Sequence, residues 1–206
     1  SIDFETAEFH TSQEYPINFD DGFDIYATQA FTAPNGQTYA ISWVGLPEIE
    51  YPTDKENWAH CLSQVKKLSI KNGKLIQEPI EAIASIICHE EILHGHCQPQ
   101  IPCPLVLSAG VHFELKIDLP PNQSGNLFLA ATKNLFNYLK LSFKTNEKAQ
   151  LIVDRENAGI PFAADYGTTR RITLPINQAL YLDIFVDNSL CEIFVNHGEH
   201  VLTLRF

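Results

Sequence analysis

Two groups of residues in this 206-residue chain have types and spacings from which chemistry could be built. The first runs from Cys88 to Cys103 (CHEEILHGHCQPQIPC), where three cysteines and three histidines, His89, His94 and His96, fall within 16 residues. Thiolate and imidazole are zinc ligands, but known zinc sites present paired donors such as two cysteines separated by two residues, and that spacing is absent. The stretch reads as a polar linker followed by a strand, and no metal is expected. The second group is Glu48 and Glu50 in Leu-Pro-Glu-Ile-Glu. Residues two apart on a strand share a face, as an acid/base carboxylate pair would need. Nothing marks these two as buried or coupled, so they read as solvated.

The elements that must position any site are strands. Leu180, Leu182, Ile184 and Val186 alternate with Tyr181, Asp183 and Phe185, a period of two that predicts a β-strand. Asp187-Asn188-Ser189 supplies a turn, and Cys191, Ile193 and Val195 resume the alternation. A second turn at Asn196-His197-Gly198 leads to Leu202, Leu204 and Phe206 on one face of a third strand. A meander with one apolar face needs a second sheet to cover it, which predicts a β-sandwich. Upstream, Ser108–Pro120, Gly125–Leu129, Leu135–Thr145 and Ala149–Asp154 alternate in the same way.

Nearer the start, Phe23, Ile25 and Ala27 alternate with Asp24, Tyr26 and Thr28, and Ala33-Pro34-Asn35-Gly36 is a hairpin turn between strands over residues 23–32 and 37–44. Leu68 to Gln77 reads as another hairpin about Lys71-Asn72-Gly73-Lys74. Ser1 to Pro16 reads as a short strand with a polar connection, and Glu78 to Ile87 as a short helix or strand that links two domains.

A formal net charge of −11 and a pI near 5.1 repel phosphates at long range, so nucleic acid and anionic membrane surfaces are not expected as partners. No apolar run approaches the roughly 20 residues that span a bilayer, and the first residues lack the features of a secretion signal. Five cysteines, an odd number unevenly spaced, fit a reducing compartment better than a disulfide framework, and a cytoplasmic protein is expected. The absence of Met suggests a piece of a longer product.

Several segments resemble glycoside hydrolase family 32, the invertases and bacterial sucrose-6-phosphate hydrolases. Ile184 to Glu199 (IFVDNSLCEIFVNHGE) is similar to the family's V-D-x-S-S-x-E-I-F-x-N-x-G-E, and Gly22 to Gln29 (GFDIYATQ) to its G-x-D-F-Y-A-x-Q. Trp43-Val44-Gly45 matches its W-x-G, and Leu151 to Gly159, Tyr166-Gly167 and Arg170-Arg171 look like its L-D-R-x-x-S-G segment and the residues after it. Tyr51-Pro52-Thr53-Asp54 with Asn57-Trp58-Ala59 resembles the bacterial branch. One difference stands out: Leu62 to Leu68 (LSQVKKL) lacks the Pro-Arg pair of the family's L-S-L-P-R-E-L.

The resemblance implies an all-β chain: a remnant of the last part of a five-bladed β-propeller over residues 1–77, a linker over 78–97 and a C-terminal β-sandwich over 98–206. It implies that the parent protein hydrolyses the β-fructosyl bond of sucrose or sucrose 6-phosphate by a retaining mechanism, which needs two carboxyl groups about 5 to 5.5 Å apart. The family supplies these in W-M-N-D-P-N-G and an E-C dipeptide, with a further Asp in R-D-P. The chain contains no Asp-Pro and no Glu-Cys, so no catalytic residue is assigned and the piece alone is expected to be inactive. Asp24, Tyr26 and Trp43 are the substrate-binding candidates by resemblance, facing the sugar funnel. Trp58 and His60 read as structural, and Asp187, Glu192 and Asn196 as solvated hairpin residues. No metal or organic cofactor is implied, and the partner is a small sugar bound by the full-length protein. Strand edges left by missing blades would pack on the sandwich or pair with a second copy. The alternative reading is a non-catalytic carbohydrate-binding or assembly module.

Overall fold

The computed structural model describes residues 2–11, 15–88, 92, 101, 103, 111–118, 120–146, 148–175 and 178–206. Among these, short 3-10 helices at Pro52–Glu56, Glu81–Ile86 and Ala164–Tyr166 are the only helical elements, and the rest of the regular structure is strand. A two-residue-per-strand hairpin, β1 (Ile2–Asp3) with β2 (Glu8–Phe9), opens the chain. Strands β3 (Ile25–Thr32), β4 (Thr38–Val44), β5 (Cys61–Leu62), β6 (Lys66–Lys71) and β7 (Lys74–Pro79) then form one antiparallel sheet, the blade, in the order β3-β4-β6-β7, with β5 also on β4.

Both hairpins in the blade follow their turn chemistry. Ala33 and Gly36 close the first, with Gly36 N–H donating to Ala33 O at 2.8 Å. Asn72 and Gly73 both take positive φ in the second, as a two-residue turn matched to strand twist requires. The predicted alternation through β3 does not hold. Ala27 adopts φ 46° and the register slips between Tyr26 and Gln29, so Ala27 and Thr28 together oppose Ser42. This β-bulge turns Thr28 toward Ser42, whose hydroxyl it meets at 2.8 Å.

The remaining strands are β8 (Val111–Ile117), β9 (Ser124–Leu129), β10 (Leu139–Lys144), β11 (Gln150–Asp154), β12 (Thr169–Thr173), β13 (Leu180–Val186), β14 (Leu190–Val195) and β15 (His200–Arg205). They form two four-stranded antiparallel sheets, β12-β11-β10-β9 and β15-β14-β13-β8. Leu139, Leu141, Leu151 and Val153 of the first sheet pack against Leu182, Ile184, Ile193, Leu202 and Leu204 of the second, all of them buried. Each such side chain contributes about 1.5–3 kcal/mol on burial. The apolar stripes read from the sequence are the inner faces of this sandwich.

The outer face of β14 and β15 is buried as well, because the blade sits on it. The segment Asp20–Asp24 runs along the free edge of β15, with Asp21 N–H donating to Val201 O at 2.7 Å and Phe23 N–H to Thr203 O at 3.0 Å. An edge that would otherwise be open is thereby paired. Two glycines permit the approach. A Cβ on Gly22 would lie 2.1 Å from Thr203 O, and one on Gly198, at φ +86°, would lie 2.0 Å from Gln77 O.

Gly22→Ala and Gly198→Ala should each destabilise the chain by about 1–3 kcal/mol or more, through forced separation of blade and sandwich. Gly36→Ala, at φ +80° with open space around it, should cost about 1–2 kcal/mol through backbone strain alone, the least of the three. Urea unfolding midpoints of the three variants check the ranking.

Candidate functional site

The blade–sandwich junction holds an unusual density of buried charge. Asp24 is 0% exposed, and its oxygens accept hydrogen bonds from Tyr51 Oη (3.1 Å), Arg155 Nη1 (3.0 Å) and Arg205 N (2.8 Å). The Arg155 guanidinium lies between two rings, 4.0 Å from the Phe23 centroid and 4.5 Å from that of Phe162. Arg170 covers Phe23 at 4.0 Å and donates to Gly22 O at 3.1 Å. Arg205 donates to Ser189 O, Ala59 O and Thr53 Oγ1, and sits 4.9 Å from the Trp58 ring centroid. Burial and the neighbouring Asp24 carboxylate push the Tyr51 phenol well above its ordinary range, so it stays a donor.

A second group lies along the same seam. Lys66 Nζ, 1% exposed, stands 3.6 Å from Asp20 Oδ2 and 3.4 Å from Glu192 Oε1, and donates to Thr203 Oγ1 at 3.2 Å. Asp20 also accepts from Thr203 N at 2.9 Å, and Glu192 Oε2 from Gln64 N at 2.9 Å. Among the described residues Glu192 Oε1 has no hydrogen-bond partner, only the Lys66 ion pair. Burial raises the carboxyls of both Asp20 and Glu192, because a single ammonium offsets the desolvation of two carboxylates only in part.

These placements correct one expectation. Glu192 is not a solvated hairpin residue: it lies inside β14 with apolar neighbours on both sides, and it is 3% exposed beneath the blade. Asp187 is exposed, as expected, and Asn196 caps the meander by accepting from Tyr181 N at 3.2 Å. The Leu62–Leu68 difference also has a physical account. Lys66, within that stretch, places one positive charge between Asp20 and Glu192.

The three substrate-binding candidates are not brought together. Tyr26 and Trp43 are cross-strand partners whose rings meet edge to face at 5.7 Å, with Tyr26 49% exposed and Trp43 half-buried. Trp43 is backed by His60 at 4.8 Å, which meets Tyr51 at 5.4 Å, so His60 packs between the two rings. An open depression of about 250 Å³ lies beside Tyr26, lined also by Asn18, Phe19, Ala27 and Thr28. Asp24 instead faces the junction with no exposed surface, because Arg155, Arg205 and Tyr51 enclose it.

Glu48 and Glu50 are both exposed. Of the Cys88–Cys103 stretch, Cys88 and Cys103 are exposed thiols, while His89, His94, His96 and Cys97 lie outside the described residues. No local pattern pointed to Asp20, Lys66 or Tyr51. The one available signal was Glu192 itself, a charge at a strand position with apolar residues on either side.

A blade-like antiparallel sheet seated edge-on against a two-layer sandwich defines a propeller-plus-sandwich protein. Residues 1–79 match the glycosyl hydrolases family 32 N-terminal domain, and residues 93–206 match the glycosyl hydrolases family 32 C terminal domain. The chain belongs to glycoside hydrolase family 32. It is 38% identical over 189 residues to the sucrose-6-phosphate hydrolase of Pediococcus pentosaceus, covering 91% of this chain and 36% of that protein. Against the sucrose-6-phosphate hydrolase structure from Lactobacillus gasseri the TM-score is 0.84 at 50% identity, over 100% of this chain and 41% of that one. A Bombyx mori β-fructofuranosidase variant in complex with sucrose gives 0.75 at 25% identity, over 100% of this chain and 40% of that one. The chain thus spans little more than a third of the length of the curated relatives it matches, and its fold is a C-terminal β-sandwich preceded by an incomplete piece of a five-bladed propeller.

The raised carboxyls at Lys66 give a signed pH dependence. An acid whose folded pKa lies above its unfolded value, about 4, contributes stability that is complete below pH 4 and lost as pH rises through the folded value. The stability of the chain relative to Glu192→Gln should therefore fall as pH rises from about 4 through the raised folded value. Urea unfolding across that range checks it, and a constant difference would show that Glu192 does not titrate with folding.

Proposed function

We propose that this chain is the rear portion of a β-fructofuranosidase that hydrolyses sucrose or sucrose 6-phosphate by retaining double displacement. The observation that carries the reading is the match of the whole chain, at 50% identity, to a sucrose-6-phosphate hydrolase structure of which it covers 41%. The catalytic carboxylates belong to the part of the protein outside these residues, and the piece by itself is inactive. Its division into propeller material over 1–77, a linker over 78–97 and a sandwich over 98–206 is supported by β7 ending at Pro79 and by family matches that break between residues 79 and 93.

Tyr26 and Trp43 form part of the rim of the sugar site, presenting an aromatic face to the C–H face of a sugar. Asp24 acts behind them as a positioning residue two positions from Tyr26, holding the start of β3 to the sandwich. The blade leaves Phe31, Leu62 and Ile70 uncovered, which supports packing by further propeller blades or by a second copy of the chain. Unpaired thiols at Cys61, Cys88, Cys103 and Cys191 support a reducing, cytoplasmic location. The alternative of a non-catalytic sugar-binding module rests on fold alone.

In the full-length protein, Tyr26→Ala and Trp43→Ala should each raise KM for sucrose 6-phosphate about tenfold, the equivalent of one aromatic contact, with kcat within a few-fold. Unchanged steady-state kinetics in both variants would remove the rim assignment. Sucrose turnover by the 206-residue chain alone would remove the claim that its carboxylates are not catalytic.

A further inference from the structure

We propose that His112, Glu114 and Asp183 form a binding site for one divalent transition-metal cation of the zinc or cobalt kind on the outer face of the sandwich. The three side chains converge because of strand register. Glu114 of β8 stands directly opposite Asp183 of β13, and His112 stands opposite Phe185. Alternation sends Phe113, Leu115 and Ile117 toward the core and the polar residues outward. One donor atom from each of the three lies within 4.8 Å of the other two. Ligands held about 2.1 Å from a zinc ion sit roughly 3 to 3.4 Å from one another, so closure requires a rotation of the exposed Glu114 side chain and a slight parting of His112 Nε2 from Asp183 Oδ1 as the ion replaces the proton they share.

Two features separate this cluster from an ordinary surface ion pair. The His112 ring is immobilised, stacked on Phe185 with centroids 4.1 Å apart and planes 1° from parallel, while its Nε2 meets Asp183 Oδ1. A fixed imidazole loses less rotamer freedom on binding. Among the described residues neither Glu114 nor Asp183 is ion-paired with a lysine or arginine. Lys116, the nearest candidate on β8, lies over the Tyr181 ring at 5.9 Å. Two carboxylates not neutralised by a lysine or arginine, in a chain of net charge −11, attract a cation, and the imidazole favours zinc, cobalt or nickel over magnesium or calcium. Three protein ligands on an exposed face leave the remaining positions to water, so the ion exchanges freely.

The test uses the whole chain with Cys88→Ser, Cys97→Ser and Cys103→Ser, so that thiols do not compete, and Co2+ as the probe in equilibrium dialysis and visible absorption. One Co2+ per chain is expected, with d–d bands of nitrogen and oxygen ligands and no thiolate charge-transfer band. Glu114→Gln, His112→Ala and Asp183→Asn, each of which alters a ligand, should weaken binding by more than the 10–100-fold effect of losing an outer partner. Circular dichroism confirms that each variant is folded. Absence of Co2+ binding, or binding unchanged by Glu114→Gln and His112→Ala, would overturn the proposal.

Discussion

The structure turns on the docking of Asp20–Asp24 along the free edge of β15, with a carboxylate at each end taking a backbone N–H of that strand. Asp20 accepts from Thr203 N and Asp24 from Arg205 N, continuing the pattern of the two main-chain bonds between them. The segment is in effect a further strand of the sandwich sheet whose chain then turns directly into β3 of the blade. Burying these acids is costly, and Arg155, Lys66, Tyr51 and Thr203 offset the cost with charge and hydrogen bonds. Removal of one partner would strand the other in a dry seam, so the two layers have a single way to fit.

That fit fixes Tyr26 and Trp43. Asp24 anchors the last residue before β3, and Tyr26 follows two positions later, ahead of the bulge at Ala27 that resets the strand. Aromatic contacts then run from Tyr26 through Trp43 and His60 to Tyr51, whose hydroxyl returns to Asp24. A change in how the sandwich holds Asp24 thus reaches the exposed aromatic pair through packed side chains. The sandwich sets where the blade's aromatic surface stands.

Strand positions and the inner faces of the sandwich were legible because an apolar stripe with period two, such as Leu180–Val186, is stable only as a strand with one face covered. The turns at Asn72-Gly73 and Asn196-Gly198 were legible for a similarly local reason, their need for positive φ. The bulge was not, since alanine has no preference for the left-handed region and the slip at Ala27 is imposed by pairing with β4. Glu192 was misplaced by sequence reasoning because a charge reads as solvated until its partner is known, and Lys66 lies more than a hundred residues away. The enclosure of Asp24 was illegible for the same reason, since Arg155 is as distant in sequence. The pairing of β8 with β13, which assembles His112, Glu114 and Asp183, is likewise non-local and leaves no periodic trace.

The buried charge and hydrogen bonds across the seam predict that blade and sandwich fold as one unit. Trp43 lies in the blade and Trp58 packs against Arg205 at the junction, so their fluorescence reports the blade and its seat on the sandwich while far-UV circular dichroism reports all strands. Urea unfolding of the chain followed by both signals should give coincident transitions with one midpoint. A fluorescence transition complete at lower urea, with most of the strand signal intact, would show the blade melting off a sandwich that stands without it and would contradict a single folding unit.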